Sequence, residues 1–266
     1  MPSINPAVMQ WIGQMGDRDQ VVAYFAYQSL QEEVFQVGRP GETAAQEALA
    51  AALGQALTAE AKEGSARGAA SFRNNAFLTA AAEQVAEPLH AARVRRGLAR
   101  LLGYLPVETA VSYLARALGD LEAREVARQS LEGNPSEKAT DALIAALDSP
   151  GPEFCAGVVN SLAKRKGEKA AAAVRKAAAD PQAEVRLAAL AGLADFPDPA
   201  HDTILEKAAR TAPVGERRAA HVARARLAET LRTAGNMPAA ERIYQAILSG
   251  DGPEPQKKAA RLALKG

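Results

Sequence analysis

Three histidines, one cysteine and a recurrent arginine are the side chains in this 266-residue chain whose types could carry chemistry. A protein metal site needs imidazole, thiolate or carboxylate ligands brought to one point, and a single element supplies two of them through short, regular spacings. His90, His201 and His221 stand far apart, with no second histidine or cysteine at such a spacing, so no metal and no other cofactor is expected. Cys155 is the only cysteine, which excludes an internal disulfide. A reactive thiolate needs a base or a cation beside it. The neighbours Phe154, Ala156 and Gly157 supply neither, and Cys155 reads as a small core residue. The glycine spacings of dinucleotide-binding turns, phosphate-binding loops and nucleophile elbows are absent. Acidic residues are plentiful, but none forms a distinctive pair outside solvated faces and turns, so catalysis is not expected.

The elements that would position any functional surface follow from an internal repeat. Segments 122–131, 153–162 and 184–193 align without a gap at a spacing of 31, and Leu143, Val174 and Leu205 continue the register. A fourth copy fits upstream with a spacing shorter by two, placing Val94 and Arg95 against Val185 and Arg186, and Leu102 against Leu131. Within one unit Val185, Ala188, Ala189, Gly192 and Leu193 recur at three-and-four spacing, which is one face of a helix. Ile204, Leu205 and Ala208 do the same in the next helix. Prolines at 135, 150, 152, 181, 197, 199 and 213 punctuate these helices, and Asp180 and Asp198 are read as N-caps. The unit is a helical hairpin that cannot bury its apolar face alone and must stack on its neighbours. The expected helices are 76–87, 89–103, 106–118, 122–132, 136–148, 153–165, 168–179, 184–195, 199–211, 216–233, 238–248 and 256–264.

Composition agrees with stacked thin layers. Hydrophobic residues make up 48% of the chain, aromatics only 5%, and alanine dominates the apolar set. No run of about 18 or more uncharged apolar residues occurs, so no membrane span is expected. The opening Met1-Pro2-Ser3-Ile4-Asn5 has neither a basic segment nor an apolar core of a signal peptide, and a cytoplasmic location is the default. Net charge is +1, but residues 1–60 carry −5 and residues 210–266 carry +6. Such asymmetry fits ordinary solvated helix faces, or an acidic and a basic end for different partners. Three parts are expected. Residues 1–61 form capping helices in which Trp11, Tyr24, Phe25, Tyr27 and Phe35 make an aromatic core, the alternative being an exposed aromatic patch. Residues 62–75 form a glycine-rich loop or hinge, and residues 76–266 form the repeat stack, its last pair a C-terminal cap.

The stretch from Asp180-Pro181 through Val185-Arg186 to Leu193 resembles the HEAT-like repeat of the phycobilisome-lyase type, within the ARM/HEAT superfamily. The resemblance is clear over residues 89–210 and weaker over 7–60 and 214–264, and the segments 158–166, 240–248 and 259–264 are similar to bacterial HEAT repeats of unassigned role. It implies an all-α, right-handed α-α superhelix of six to seven hairpins. The lyase activity of some similar repeats is not carried over, because no residue here singles it out. The resemblance also implies that the arginine slot occupied by Arg95, Arg124 and Arg186, with Cys155 as the exception, reaches aspartates in inter-helix turns. Asp120, Asp148 and Asp180 are the candidate partners in this structural ladder.

If the apolar faces point inward, Glu184, Leu187 and Ala191 point toward what a HEAT stack makes its concave side. Equivalent positions give one row of Arg100, Gln129, Asn160 and Ala191 and another of Arg96, Glu125, Ala156 and Leu187, with Lys164 beside them. These rows are mixed in character and suit a protein or peptide better than a phosphate backbone, since one sign of charge does not persist. The leading expectation is a non-catalytic scaffold that binds a protein or peptide on residues Arg96, Arg100, Glu125, Gln129, Asn160, Lys164 and Leu187. The alternative is a nucleic-acid-binding repeat stack that uses a basic concave or C-terminal surface, motivated by Arg93, Arg95, Arg96, Arg100, Arg217, Arg218, Arg224 and Arg226, while Glu122, Glu125 and Glu153 argue against a continuous basic track.

Overall fold

The computed structural model describes residues 4–71 and 78–265, with side chains described outside 62–90. Among the described residues it is all-α, and the helices divide into two compact units, 1–143 and 144–266.

The first unit contains α1 (Val8–Gln14), α2 (Gln20–Val37), α3 (Thr43–Ser71), α4 (Leu78–Gly103), α5 (Glu108–Ala117) and α6 (Arg124–Gly133). Helix α7 (Glu137–Ala145) carries the division at Leu143 and Ile144. On α2 the residues Ala23, Ala26, Leu30, Val34 and Val37 are buried, a three-and-four spacing that sends one face into the core. Leu49, Leu53, Leu98, Leu101, Leu102, Leu114 and Leu131 fill the same core and are fully buried. Each such leucine contributes about 1.5–3 kcal/mol relative to exposure.

That face overturns the expected aromatic cap core. Tyr24, Phe25 and Phe35 are 59%, 63% and 55% exposed, because the alanine-leucine-valine stripe of α2 takes the inward positions and the aromatics fall between them. Trp11 and Tyr27 are half-buried.

Two further differences concern helix ends. Helix α3 continues to Ser71 where a loop is expected from residue 62, so 62–71 is helical backbone, while 72–77 lies outside the described residues. Lysine, glutamate and four alanines within or beside that stretch are good helix formers and outweigh its two glycines, at about 1 kcal/mol each. The expected helices 76–87 and 89–103 are one helix, α4, which runs through Pro88.

The second unit holds a short 3-10 turn (Ala146–Asp148), α8 (Pro152–Arg165), α9 (Glu168–Ala177), α10 (Ala183–Leu193), α11 (His201–Thr211), α12 (Val214–Thr233), α13 (Met237–Ser249) and α14 (Glu254–Ala263). These match the repeat reading to within about three residues at each end, the usual scatter of helix boundaries. Pro152 opens α8 at its first turn, where its missing N–H costs nothing. A turn of Lys166 and Gly167, both at positive φ, reverses the chain into α9, so α8 and α9 form an antiparallel hairpin. Asp180 and Asp198 act one step earlier than expected. Each carboxylate accepts from the amide two residues on, Gln182 at 2.8 Å and Ala200 at 2.9 Å, and fixes the turn before the helix rather than capping the helix itself.

The sequence period reappears as contacts between successive parallel helices. Lys166 Nζ donates to the Asp195 carbonyl at 2.9 Å, at the C-terminal ends of α8 and α10. Thr230 of α12 donates to the Ala194 carbonyl at 2.8 Å, and Ser130 of α6 donates to the Ala99 carbonyl of α4 at 3.1 Å. Gly192 sits where α10 meets its predecessors: a Cβ there would lie 3.1 Å from Ala163 Cβ and 3.2 Å from Val174 Cγ1. The small residue at this position sets how closely the layers approach.

Candidate functional site

In the first unit, α2 and α4 form the walls of a cleft of about 410 Å³. Its floor is Gly97, where a Cβ would come within 2.8 Å of Met15 Cε and 3.6 Å of the Tyr27 ring. The absent side chain lets the methionine and tyrosine lie against the backbone of α4. Tyr24 and Tyr27 come from α2, three residues apart, and Arg93, Arg96 and Arg100 come from α4 at the three-and-four spacing of one helix face. The two helices run in the same direction here, since Tyr27 neighbours Arg100 and Phe35 packs against Tyr104 with ring centroids 5.4 Å apart. Arg93 to Tyr104 spans about 16 Å of helix at 1.5 Å per residue. The result is a stripe of aromatic and guanidinium groups on one side of the unit.

Electrostatically the cleft is basic and partly dry. Burial pushes the Tyr27 hydroxyl above its ordinary value of 10.0, with the neighbouring Arg100 acting in the opposite sense. Arg96 reaches Glu122 at 3.2 Å, an exposed pair that costs little to break. Tyr24 and Phe25 stack edge to face at 5.7 Å and present flat apolar surface to solvent.

Arg96 and Arg100 therefore share a cleft, in company that the sequence reading placed elsewhere. Glu125 and Gln129 lie exposed on α6 of the same unit, and Glu125 is held by Arg128 at 2.9 Å. Asn160 and Lys164 are exposed on α8 and Leu187 is 36% exposed on α10, all in the second unit. Tyr24 and Tyr27 were expected in an aromatic cap core, with an exposed patch as the alternative, and not beside Arg96 and Arg100. Tyr24 stands off the three-and-four line of Ala23, Ala26 and Leu30, whereas Tyr27 lies on it, four residues after Ala23, and is half-buried.

The arginine slot is built differently in each copy. Arg95 meets the Asp120 carboxylate at 2.8 Å, and its Nη1 donates to the Glu60 carbonyl at 3.4 Å. Arg186 donates to the backbone carbonyls of Asp180 and Pro181, both at 2.8 Å, while its carboxylate partner is Glu216 of α12. The Asp180 side chain is occupied by the Gln182 amide instead. Cys155 stands 31 residues before Arg186, and its thiol donates to the Ser149 carbonyl at 3.2 Å, as Arg186 donates to Asp180. The buried thiol thus satisfies the same turn carbonyl that arginine satisfies one repeat later. Arg124 is half-buried on α6 in the first unit and Asp148 is exposed in the second.

Of the histidines, His201 is fully buried with Nδ1 3.1 Å from the Leu193 carbonyl, and His221 is half-buried on α12; His90 lies among the residues whose side chains are not described. Among the described residues no three histidine, cysteine or acidic side chains converge as a metal site would require, and no helix is long and apolar enough to cross a membrane.

Residues 140–225 match the family described as HEAT repeats, and this part of the chain is built of HEAT-like repeats. No curated protein sequence matches it significantly. Among solved structures it is similar to the complex of CpcE and CpcF of phycocyanin lyase from Nostoc, at 20% identity, with 98% of this chain and 94% of that chain covered and a TM-score of 0.44. It is also similar to human deoxyhypusine hydroxylase in complex with glycerol, at 17% identity, 97% and 94% coverage and a TM-score of 0.36. A designed armadillo repeat protein in complex with the peptide (KR)4 aligns at 20% identity, 97% and 98% coverage and a TM-score of 0.27.

Proposed function

We propose that this protein is a non-catalytic, cytoplasmic bacterial scaffold that binds a protein or peptide partner, with the α2–α4 cleft of the first unit as its principal contact. The observation that carries this reading is the stripe of Tyr24, Phe25, Tyr27, Phe35 and Tyr104 interleaved with Arg93, Arg96 and Arg100. Tyrosine and arginine are enriched where interfaces bind most strongly, because tyrosine covers a large area while ordering few rotors and arginine adds a planar fork of hydrogen-bond donors. Four aromatics that are each at least 45% exposed on one short stretch are more than scattered surface apolarity. Gln129 and Glu125 of α6 add an adaptable polar margin in the same unit, and Asn160, Lys164 and Leu187 form a second mixed face in the other.

The partner is a segment with apolar side chains to lie on the tyrosines and carboxylates to meet Arg96 and Arg100. Nucleic acid is the weaker reading for this cleft, since Glu122 pairs with Arg96 at its edge and would repel a continuous phosphate track.

A photo-crosslinking residue introduced in place of Tyr24 tests the reading, with the same residue in place of exposed Met237 as the comparison. The expected result is a discrete protein adduct from position 24 and none from 237. Equal labelling at both positions, or nuclease-sensitive adducts only, would overturn it.

A further inference from the structure

A second cavity, of about 930 Å³, lies in the other unit between α11, α12 and the turn from α13 into α14. Its composition is unlike that of the aromatic cleft. Arg210 projects from α11, and Arg217, Arg218 and Arg224 project from α12, with Glu206 and Asp251 as the only lining carboxylates. Four guanidinium groups against these two carboxylates and Asp202, which pairs with Arg224, leave one positive charge while His221 is neutral.

The excess charge is not neutralised within the protein. Arg224 is committed, with Nε on Asp202 Oδ1 at 2.7 Å and Nη2 on Oδ2 at 3.1 Å, and it forms a fixed, 6% exposed wall. Arg210, Arg217 and Arg218 have no ion-pair partner among the described residues. Glu216, beside Arg217 in sequence, cannot serve, because Arg186 holds both its carboxylate oxygens. Three forked donors that face one cavity and pair with neither of its carboxylates can bind a multiply charged oxyanion, since guanidinium geometry matches phosphate oxygens in pairs.

The rest of the cavity limits the ligand further. Ile247, Ala209 and Ala246 give it an apolar side, and its volume is in the range of small-molecule sites, far beyond a bare phosphate. Glu206 and Asp251 repel anions but accept hydrogen bonds from hydroxyl groups. His221 is built into the wall, since a Cβ on Gly252 would stand 3.1 Å from its Nδ1. Its basicity is lowered by burial first and then by Arg224 and Arg217, so an anion placed among these arginines would return a proton to it.

We propose that this cavity binds a small phosphomonoester, its phosphate dianion held by Arg210, Arg217 and Arg218 and its hydroxyl-bearing organic part placed against Ile247 with Glu206 and Asp251 as acceptors. The three arginines without an ion-pair partner outnumber the two lining carboxylates, so the cavity is positive, the sign that suits a group carrying about −1.5 to −2 at pH 7. The site is separate from the protein-binding cleft and does not depend on it.

Calorimetric titration of the full chain at constant ionic strength tests the assignment, with ribose 5-phosphate, inorganic phosphate, sulfate and a single-stranded oligonucleotide as probes. Ribose 5-phosphate is expected to saturate one site and to bind more tightly than phosphate or sulfate. The Arg217→Ala/Arg218→Ala double variant, altered at exposed positions, should weaken it at least tenfold, whereas Arg226→Ala/Arg242→Ala, equal in charge and outside the cavity, should not. The His221 ring resonances should titrate at higher pH with the ester bound. Absence of saturable binding, equal loss in both double variants, no movement of the His221 titration, or binding of the oligonucleotide alone would each overturn the proposal.

Discussion

Arg186 of α10 and Glu216 of α12 form a two-point ion pair, Nε to Oε2 at 3.0 Å and Nη2 to Oε1 at 2.7 Å, that ties successive repeats together near the start of both helices. The glutamate is 6% exposed, so its charge depends on this partner. Glu216→Gln keeps the shape but removes the charge, and the expected loss is about 2 kcal/mol in chemical denaturation, the scale of a charged hydrogen bond. Hydrogen bonding from Arg186 is the main cause that holds the Glu216 carboxyl below its ordinary value of 4.5. Its stabilisation is therefore complete above that value and is lost as pH falls through the lower folded-state value. The Glu216→Gln protein should show a flatter stability curve across that acid range than the parent.

His201 contributes a second acid-sensitive element at milder pH. It is fully buried, with Nδ1 on the Leu193 carbonyl and its ring packed edge-on to Phe196 at 6.1 Å. Burial is the largest influence and lowers its pKa from 6.5. The unfolded chain takes up this proton first, so stability declines as pH falls from about 6.5 toward the lower folded value. Replacing His201 with Phe should lower stability at pH 8, because the Leu193 carbonyl loses its donor, and should reduce the slope between pH 8 and pH 5. An unchanged slope in urea unfolding at several pH values would contradict this assignment.

Gly54 of α3 lies directly under the Tyr113 ring of α5, where an added Cβ would stand 2.1 Å from Tyr113 Cδ2 and 2.2 Å from its Cγ. The root of the ring cannot swing clear without moving α5. Gly54→Ala should cost about 2 kcal/mol despite its better helix propensity, as overpacking of a closed contact does. Truncating Tyr113 to Ala in the same chain should remove most of the additional cost, which a double-mutant cycle by thermal unfolding would read directly.

Cys155 is 6% exposed and its thiol faces the carbonyls of Leu147 and Ser149. A thiol-specific reagent should modify it only at the rate at which its segment opens, and rapidly in denaturant. Fast stoichiometric labelling of the native protein would show that the turn does not close over it.

The repeat was legible because three ungapped copies carry the same small and large residues at a spacing of 31, and the layers need those sizes to pack. Helices α8 to α14 follow from that pattern and from the prolines and glycines between them. The continuity of α4 was not legible, since Pro88 signals a boundary on local grounds alone. The aromatics of α2 were noticed but assigned to the wrong face, although the line of Ala23, Ala26 and Leu30 already excluded Tyr24. The partner of Arg186 was hidden for a different reason. A periodic sequence locates the arginine, but only packing decides between Asp180 in its own turn and Glu216 on the next helix. The basic cavity was visible as an excess of +6 over residues 210–266 and as Arg217, Arg218 and Arg224 on a basic C-terminal surface; which arginines remain unpaired is settled by geometry.

The central claim is that a protein partner rests on the α2–α4 cleft, and the most direct measurement is affinity purification of the tagged full chain with and without nuclease, compared with Tyr24→Ala/Arg96→Ala/Arg100→Ala. All three substitutions are at positions outside the buried core, so the variant should fold, which thermal unfolding would verify. The expected result is a specific protein that survives nuclease, cross-links at position 24 and falls at least tenfold in the variant. Retention of the same protein at parental levels by the folded variant, or recovery of nuclease-sensitive material alone, would contradict it.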